Sequence, residues 1–246
     1  MKGNRDMRLS GKTALVTGAG SGIGLATVRR LRSDGATVYA ADLSAPERMG
    51  DGHYPLTLDV TREAAWQDAI AMIGEGAGRL DVLVNNAGIG HAAPITEMTL
   101  ADWRRVQGVN LEGVFLGMKH AAPLMKTGGG GVIVNLSSIC GTIGVAQAAA
   151  YCASKAGVLG LTRAGAHEFG PDNIRVVAVQ PGYVETPLVA ARLAQEPARL
   201  DAMVGGNPLR RLGTPEEIAG LIAYLAGDEA AFVTGAGLLI DGGATI

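Results

Sequence analysis

Seven short runs rich in β-branched and other apolar residues recur along this chain with segments of helix length between them, and no other feature constrains the fold as much. The runs are Thr13–Thr17, Thr37–Ala41, His53–Leu58, Val82–Asn85, Val132–Leu136, Arg175–Val179 and Leu238–Ile240. Near-continuous apolar runs mark strands buried on both faces, and parallel strands need a crossover long enough to hold a helix. Because such crossovers are right-handed, the pattern predicts an α/β fold: a Rossmann-like, doubly wound parallel sheet of about seven strands. With 246 residues, 48% of them hydrophobic and 18% charged, the chain can bury that core as a single domain over residues 1–246. The stretch 187–208 is helical in pattern and ends in Gly-Gly-Asn-Pro, which suits a mobile cover over a site. Gly128–Gly131 reads as a flexible connection into the fifth strand.

Charge and cysteine usage narrow the partners. The 21 basic and 23 acidic residues are scattered and sum to a net charge of -2, so no basic stripe marks a nucleic-acid or anionic-membrane surface. No apolar run has the length of a membrane span, and the opening MKGNRDMRLSGK has no signal-peptide core. These features predict a soluble, cytoplasmic protein that acts on a small molecule. Cys140 and Cys152 lack metal-ligand spacing, and the sequence gives no reason to pair them, which fits a reducing cytosol.

Directly after the first run comes Thr17-Gly18-Ala19-Gly20-Ser21-Gly22-Ile23-Gly24, opening a helix. Gly18, Gly22 and Gly24 bare the backbone where a pyrophosphate can meet a helix N-terminus; a tight strand-to-helix turn is the plainer alternative. Asp42 closes the second run, 18 residues beyond Gly24, where a carboxylate can accept hydrogen bonds from the adenosine ribose. It would repel a 2′-phosphate: two unit charges ~4 Å apart at an effective dielectric of 20 differ by roughly 4 kcal/mol. After screening, that still disfavours NADP by about tenfold or more. Ser21 and Leu43 supply no compensating cation, so the reading is NAD(H). As an alternative, Asp42 is an N-cap or a solvated turn residue.

Tyr151 and Lys155 lie four apart in AAAYCASKAGVLGL, a helical stretch, and so share one face. A tyrosine with pKa ~10 is a poor base at neutral pH, and an adjacent ammonium has the magnitude needed to lower it. Ser138 ends the fifth run, at the carboxyl edge where such sheets bind ligands. Taken singly, these residues also read as a packed aromatic, a solvated helix charge and a strand-end cap. The segment Asn85–Gly88 reads either as part of the cofactor site or as buried polar packing in mid-sheet.

Together, TGAGSGIG at the first turn, Asn85-Asn86-Ala87-Gly88, YCASK, and Pro181-Gly182 occur in an order that resembles the short-chain dehydrogenase/reductase family, in its classical subgroup. The likeness runs from Leu9 to Gly243 and selects Ser138, thirteen positions before Tyr151, over Ser137. It implies a tetrad of Asn110, Ser138, Tyr151 and Lys155. In that scheme Tyr151 exchanges a proton with the substrate oxygen and Ser138 orients the carbonyl. Lys155 binds the nicotinamide ribose and depresses the tyrosine pKa, while Asn110 supports a water-mediated relay.

The resemblance also implies cofactor contacts. At the glycine turn and the adenosine these are Gly18, Ser21, Gly22, Ile23, Gly24, Asp42 and Leu43, with Asp59 and Val60 at the adenine. Asn86, Ala87 and Gly88 lie along the cofactor, and Pro181, Gly182, Val184 and Thr186 near the nicotinamide, with Tyr151 and Lys155. Proximity in sequence makes His91, Cys140, Gln147 and Tyr183 candidates for substrate contact. The helix from Ala148 to Phe169 carries only Lys155, Arg163 and Glu168 as Lys, Arg, Asp or Glu charges, and its small apolar faces suit a subunit contact. By resemblance, this helix, its predecessor and the last strand build a homotetramer. The expected activity is an NAD-dependent secondary-alcohol dehydrogenase or ketone reductase acting on a small alcohol or ketone. The alternatives are an NADPH-dependent 3-oxoacyl reductase and a non-catalytic NAD-binding regulator.

Overall fold

The computed structural model describes residues 7–195 and 199–246. Its strands are β1 (Thr13–Thr17), β2 (Thr37–Asp42), β3 (His53–Thr57), β4 (Val82–Asn85), β5 (Gly131–Leu136), β6 (Ile174–Pro181) and β7 (Gly237–Ile240). They form one seven-stranded sheet in the order β3-β2-β1-β4-β5-β6-β7, and every pairing is parallel. The sequence places every strand boundary to within one residue except the end of β6, which runs two residues on because Gln180 and Pro181 stay extended by pairing with Leu239 and Ile240 of β7.

Side chains alternate across the sheet and divide the core in two. Val16, Val84, Val134 and Val179 face α1 (Gly22–Ser33) and α8 (Pro215–Ala226), meeting Leu31 and Ile222. Their neighbours Leu15, Leu83, Ile133 and Val176 face the other way, towards Trp66 and Ile73 of α2 (Glu63–Ala77) and Val158 of α5 (Ala149–Phe169). Between α2 and α5 the chain makes α3 (Leu100–Gln107), a π-helical turn at Gly108–Glu112, and α4 (Gly113–Thr127).

The expected cover contains α6 (Pro187–Gln195) and α7 (Arg199–Gly205); residues 196–198 of it lie outside the described residues, as do residues 1–6 of the polar opening stretch. Gly128–Gly131 is not simply a flexible link. Gly130 has φ +115, and a Cβ there would stand 2.3 Å from the Asn173 carbonyl oxygen, so the glycines allow two chain segments to touch. Among the described residues no helix is long and apolar enough to cross a membrane.

The chain leaves β1 in one direction along the sheet and returns to β4 on the other side. At that reversal the loops beyond the carboxyl ends of β1 and β4 part, leaving a crevice.

Candidate active site

A cavity of about 750 Å³ occupies this crevice, within the range of small-molecule sites. The glycine turn forms one wall. Gly18 has φ +64, and a Cβ on it would lie 2.9 Å from the Ala87 Cα; a Cβ on Gly24 would lie 2.0 Å from the Gly18 carbonyl oxygen. A side chain at Gly18 would push the turn off the loop after β4, and one at Gly24 would push the start of α1 off the turn. Ser21, the N-cap of α1, makes no side-chain cap bond, so it does not cover the first N–H groups of α1. Ser21, Gly22 and Ile23 line the cavity. Bare backbone and a helix N-terminus form a cradle that fits the pyrophosphate of a dinucleotide.

Asp42 also stands on the cavity wall. Its carboxylate accepts from Gly20 N and from Leu43 N, both at 2.8 Å. The residue is thus neither a helix cap nor merely solvated: it ties the glycine turn to the end of β2. Opposite it, the two readings of Asn85–Gly88 separate by residue. Asn85 points into the sheet and donates to Asn135 Oδ1 at 2.9 Å, and Asn135 in turn donates to Thr162 Oγ1 at 3.1 Å. Asn86 instead donates to the carbonyls of Thr17 (2.9 Å) and Gly18 (3.1 Å). Asn86, Ala87 and Gly88 line the cavity. Asp59 and Val60 lie on the wall too; hydrogen bonds from the Thr61 hydroxyl and N–H hold the Asp59 carboxyl below its ordinary range.

On the far wall are Ser138, Tyr151 and Lys155, with Pro181, Gly182, Val184 and Thr186 beside them. Ser138 caps a 3₁₀ turn at Ile139–Gly141, its Oγ accepting from Cys140 N at 3.1 Å. Lys155 is buried, and its Nζ donates to the Leu136 carbonyl at 2.7 Å. Burial pulls this ammonium down to about 8. Burial also pushes the Tyr151 phenol above its ordinary value, with the nearby Cys140 adding to the rise and a hydrogen bond with the Ser138 side chain opposing it. The expected depression of Tyr151 by Lys155 is therefore corrected. The ammonium lies 5.6 Å from the ring centroid, and its hydrogen bond goes to the main chain of β5, so burial dominates the phenol.

Asn110 sits behind the wall, fully buried inside the π-helical turn. It holds both main-chain groups of Ile89, accepting from N at 2.8 Å and donating to O at 2.9 Å. A Cβ on Gly88 would stand 3.5 Å from both Asn110 Oδ1 and Lys155 Nζ, so these two side chains converge on one point of the main chain.

None of the four substrate candidates lines this cavity. His91 lies beside Arg105, 3.5 Å from its guanidinium, and it is Arg105 that reaches the wall. Cys140, in the 3₁₀ turn after Ser138, is partly buried and does not line the cavity. Gln147, at φ +63, accepts from Arg192 of α6 at 3.4 Å. Tyr183 lines a separate cavity of about 110 Å³ with Asn207 and Arg211. Sequence reasoning instead missed Ile89, Arg105, Leu188 and Val189, which do line the main cavity. The helical apolar pattern after Pro187 signalled the last two; Arg105 gave no signal beyond an exposed helix charge.

Comparison with known proteins agrees with this geometry. A family model described as enoyl-(acyl carrier protein) reductase matches residues 18–245. The chain is 46% identical to cis-4-hydroxycyclohexanecarboxylate dehydrogenase of Sinomonas cyclohexanicum, covering 95% of this chain and 96% of that protein. It is 43% identical to the 3-oxoacyl-(acyl-carrier-protein) reductase FabG of Thermotoga maritima, covering 98% and 100%. A crystal structure of a short-chain type dehydrogenase/reductase from Mycobacterium marinum superposes with a TM-score of 0.90 at 34% identity over 98% of each chain.

Proposed function

The chain belongs to the short-chain dehydrogenase/reductase family and is an oxidoreductase using a nicotinamide cofactor, and from that premise we propose that the cofactor is NAD(H) and the substrate a secondary alcohol on a small ring, or its ketone. The observation that carries the choice of NAD is Asp42, a carboxylate on the adenosine side of the cavity, with Ser21 and Leu43 beside it and no cation among the three. The substrate class is drawn from the relative that acts on cis-4-hydroxycyclohexanecarboxylate.

The bound nicotinamide supplies the hydride chemistry. In this reading Tyr151 holds or releases the proton at the substrate oxygen, and Ser138 donates to that oxygen and orients it. Lys155 binds the nicotinamide ribose and places positive charge beside the phenol, while Asn110 fixes the Ile89 main chain and supports a water that carries the proton outwards. Gly18, Ser21, Gly22, Ile23 and Gly24 receive the pyrophosphate. The remaining contacts are Asp59 and Val60 at the adenine, Asn86, Ala87 and Gly88 along the cofactor, and Pro181, Gly182, Val184 and Thr186 near the nicotinamide. The segment 187–208 acts as the cover of this single catalytic domain.

A second reading, NADPH-dependent reduction of 3-oxoacyl thioesters, is favoured by the 43% identity to the Thermotoga maritima reductase. Initial rates with NAD and cyclic secondary alcohols, set against NADPH and a 3-oxoacyl thioester, separate the two. Faster turnover of the thioester with NADPH would reject the proposal.

The cytoplasm is the proposed compartment and a homotetramer the proposed assembly. The exposed small residues Ala153, Ala156 and Gly160 of α5, Phe115 of α4 and Leu239 of β7 offer two contact faces. Light scattering coupled to size exclusion tests the assembly, and a monomer would reject it.

A further inference from the structure

Four charged side chains line the main cavity among the described residues: Asp42, Asp59, Arg105 and Lys155. Roles have been given above to both carboxylates and to the lysine, but none to Arg105 of α3. The loop after β4 fixes where it stands. A Cβ on Gly88 would lie 3.5 Å from Lys155 Nζ, and one on Gly90 would lie 3.2 Å from Leu188 Cδ1 at the start of α6. One residue further, His91 Nδ1 is 3.5 Å from Arg105 Nη2, and Ala93 N donates at 3.0 Å to the carbonyl of Gln147, four residues before Tyr151. The chain from Gly88 to His91 spans at most about 11 Å, so Arg105 lies in the part of the cavity that holds Lys155, Ile89 and Leu188.

The guanidinium is held in place and still has donors to offer. Its Nη2 donates to Asp102 Oδ1 at 3.3 Å, and Asp102 is itself fixed by the Thr99 hydroxyl at 2.6 Å. Asp102 offsets part of the positive charge, but it does not line the cavity, so an anion inside meets the guanidinium first. Both side-chain contacts of Arg105 use Nη2; among the described residues, Nη1 and Nε have no partner. Such a planar fork matches the two oxygens of a carboxylate. Beside it, Ile89, Leu188 and Val189 give the cavity an apolar wall, which suits the carbons of a small ring.

We propose that Arg105 is a specificity residue that binds a carboxylate of the substrate, so that the preferred substrate is a ring hydroxy acid, or its keto acid, rather than a neutral alcohol. The inference rests on the reading of this cavity as the site of a small-ring alcohol and adds the charge that the ring carries. The hydroxyl lies at Tyr151, the ring against Ile89, Leu188 and Val189, and the carboxylate at Arg105. Being remote from the reacting atoms, the ion pair forms equally in the bound substrate and the transition state, so it lowers KM and leaves kcat unchanged. The Arg105 side chain is 52% exposed, and water and salt compete for it; the discrimination expected is about tenfold, the low end for hydrogen bonds to charged groups.

The test sets the wild type against Arg105→Gln, which removes the charge from a half-exposed helix position. In initial-rate assays, kcat/KM for cis-4-hydroxycyclohexanecarboxylate relative to cyclohexanol should fall about tenfold in the variant, through KM, with cyclohexanol turnover and NADH affinity unchanged. Cyclohexanecarboxylate, which has no hydroxyl to oxidise, is then titrated into each enzyme–NADH complex and followed by the cofactor's fluorescence; it should bind the wild type about tenfold more tightly than the variant. The proposal is overturned if the ratio of the two alcohols is the same in both proteins, or if the carboxylate binds both alike or neither. It is overturned equally if the variant loses NADH affinity and keeps the ratio, which would give Arg105 to a cofactor phosphate. The titration needs no turnover, so a wild type that binds cyclohexanecarboxylate through Arg105 yet oxidises neither alcohol refutes the proposed activity and leaves the carboxylate site standing.

Discussion

Replacing Asp42 with asparagine separates two things that this carboxylate does at once. As a tether it accepts from Gly20 N and Leu43 N, both at 2.8 Å, and as a charge it lines the cavity, on what we propose is its adenosine side. Asparagine keeps one acceptor oxygen and removes the charge; alanine removes both. Hydrogen bonds to charged groups contribute about 1.5–3 kcal/mol each, but these lie at an exposed rim where water can replace a lost acceptor, so the low end applies. The charge term for a 2′-phosphate ~4 Å away is roughly 4 kcal/mol at an effective dielectric of 20, and screening leaves about 1.4 kcal/mol or more, a tenfold preference.

Fluorescence titration of NADH and NADPH should thus show the wild type preferring NADH by tenfold or more. Asp42→Asn should erase that preference chiefly by tightening NADPH, whereas Asp42→Ala should weaken both cofactors by loosening the turn. Tighter NADPH binding by the wild type, or an unchanged ratio in Asp42→Asn, would refute the electrostatic argument. Equal NADH affinity in all three proteins would refute the tether.

Tyr151→Phe should lower turnover by about 10²–10⁴-fold with NADH affinity intact; a smaller loss in initial-rate assays would remove Tyr151 from proton transfer. Burial holds Lys155 at about 8, below its unfolded value of 10.5, so between those values the unfolded state binds the extra proton and stability rises with pH. Urea unfolding of the ligand-free wild type against Lys155→Met should show the wild type gaining about 3 kcal/mol relative to the variant from pH 8 to above 10; a flat difference would contradict it. Gly24→Ala places a Cβ 2.0 Å from the Gly18 carbonyl oxygen, so the turn must shift. It should lose about 1–3 kcal/mol in urea unfolding along with NADH affinity, and a variant equal to the wild type in both would show the turn to be compliant.

The strands were legible because burial on both faces leaves an apolar run that local sequence cannot hide; Val82–Asn85 coincides with β4 to the residue. The extension of β6 to Pro181 was not, since it depends on β7, more than fifty residues away in the chain. Helical spacing put Tyr151 and Lys155 on one face, but the partner of the ammonium is a carbonyl of β5, which no spacing reveals. Sequence proximity misled most for Cys140 and Tyr183: a 3₁₀ turn and the bend after β6 decide where such side chains point, and both are set by tertiary contacts. Arg105 reaches the cavity only because α3 packs where it does.

The π-helical turn at Gly108–Glu112 has a consequence for how this chain can change over time. Such a turn holds one more residue than the regular helix around it, and Asn110 lies within it, fully buried and clasping Ile89. Shortening the stretch between Trp103 and Val114 by one residue would make a straighter and more regular helix, and would rotate everything on one side of the deletion by about a quarter turn. Exposed positions such as Arg104 and Glu112 can exchange freely, whereas the number of residues in that stretch cannot. Its length therefore matters more than its letters, and a designer who regularised the helix for stability would swing Asn110 away and release the Ile89 main chain that it holds.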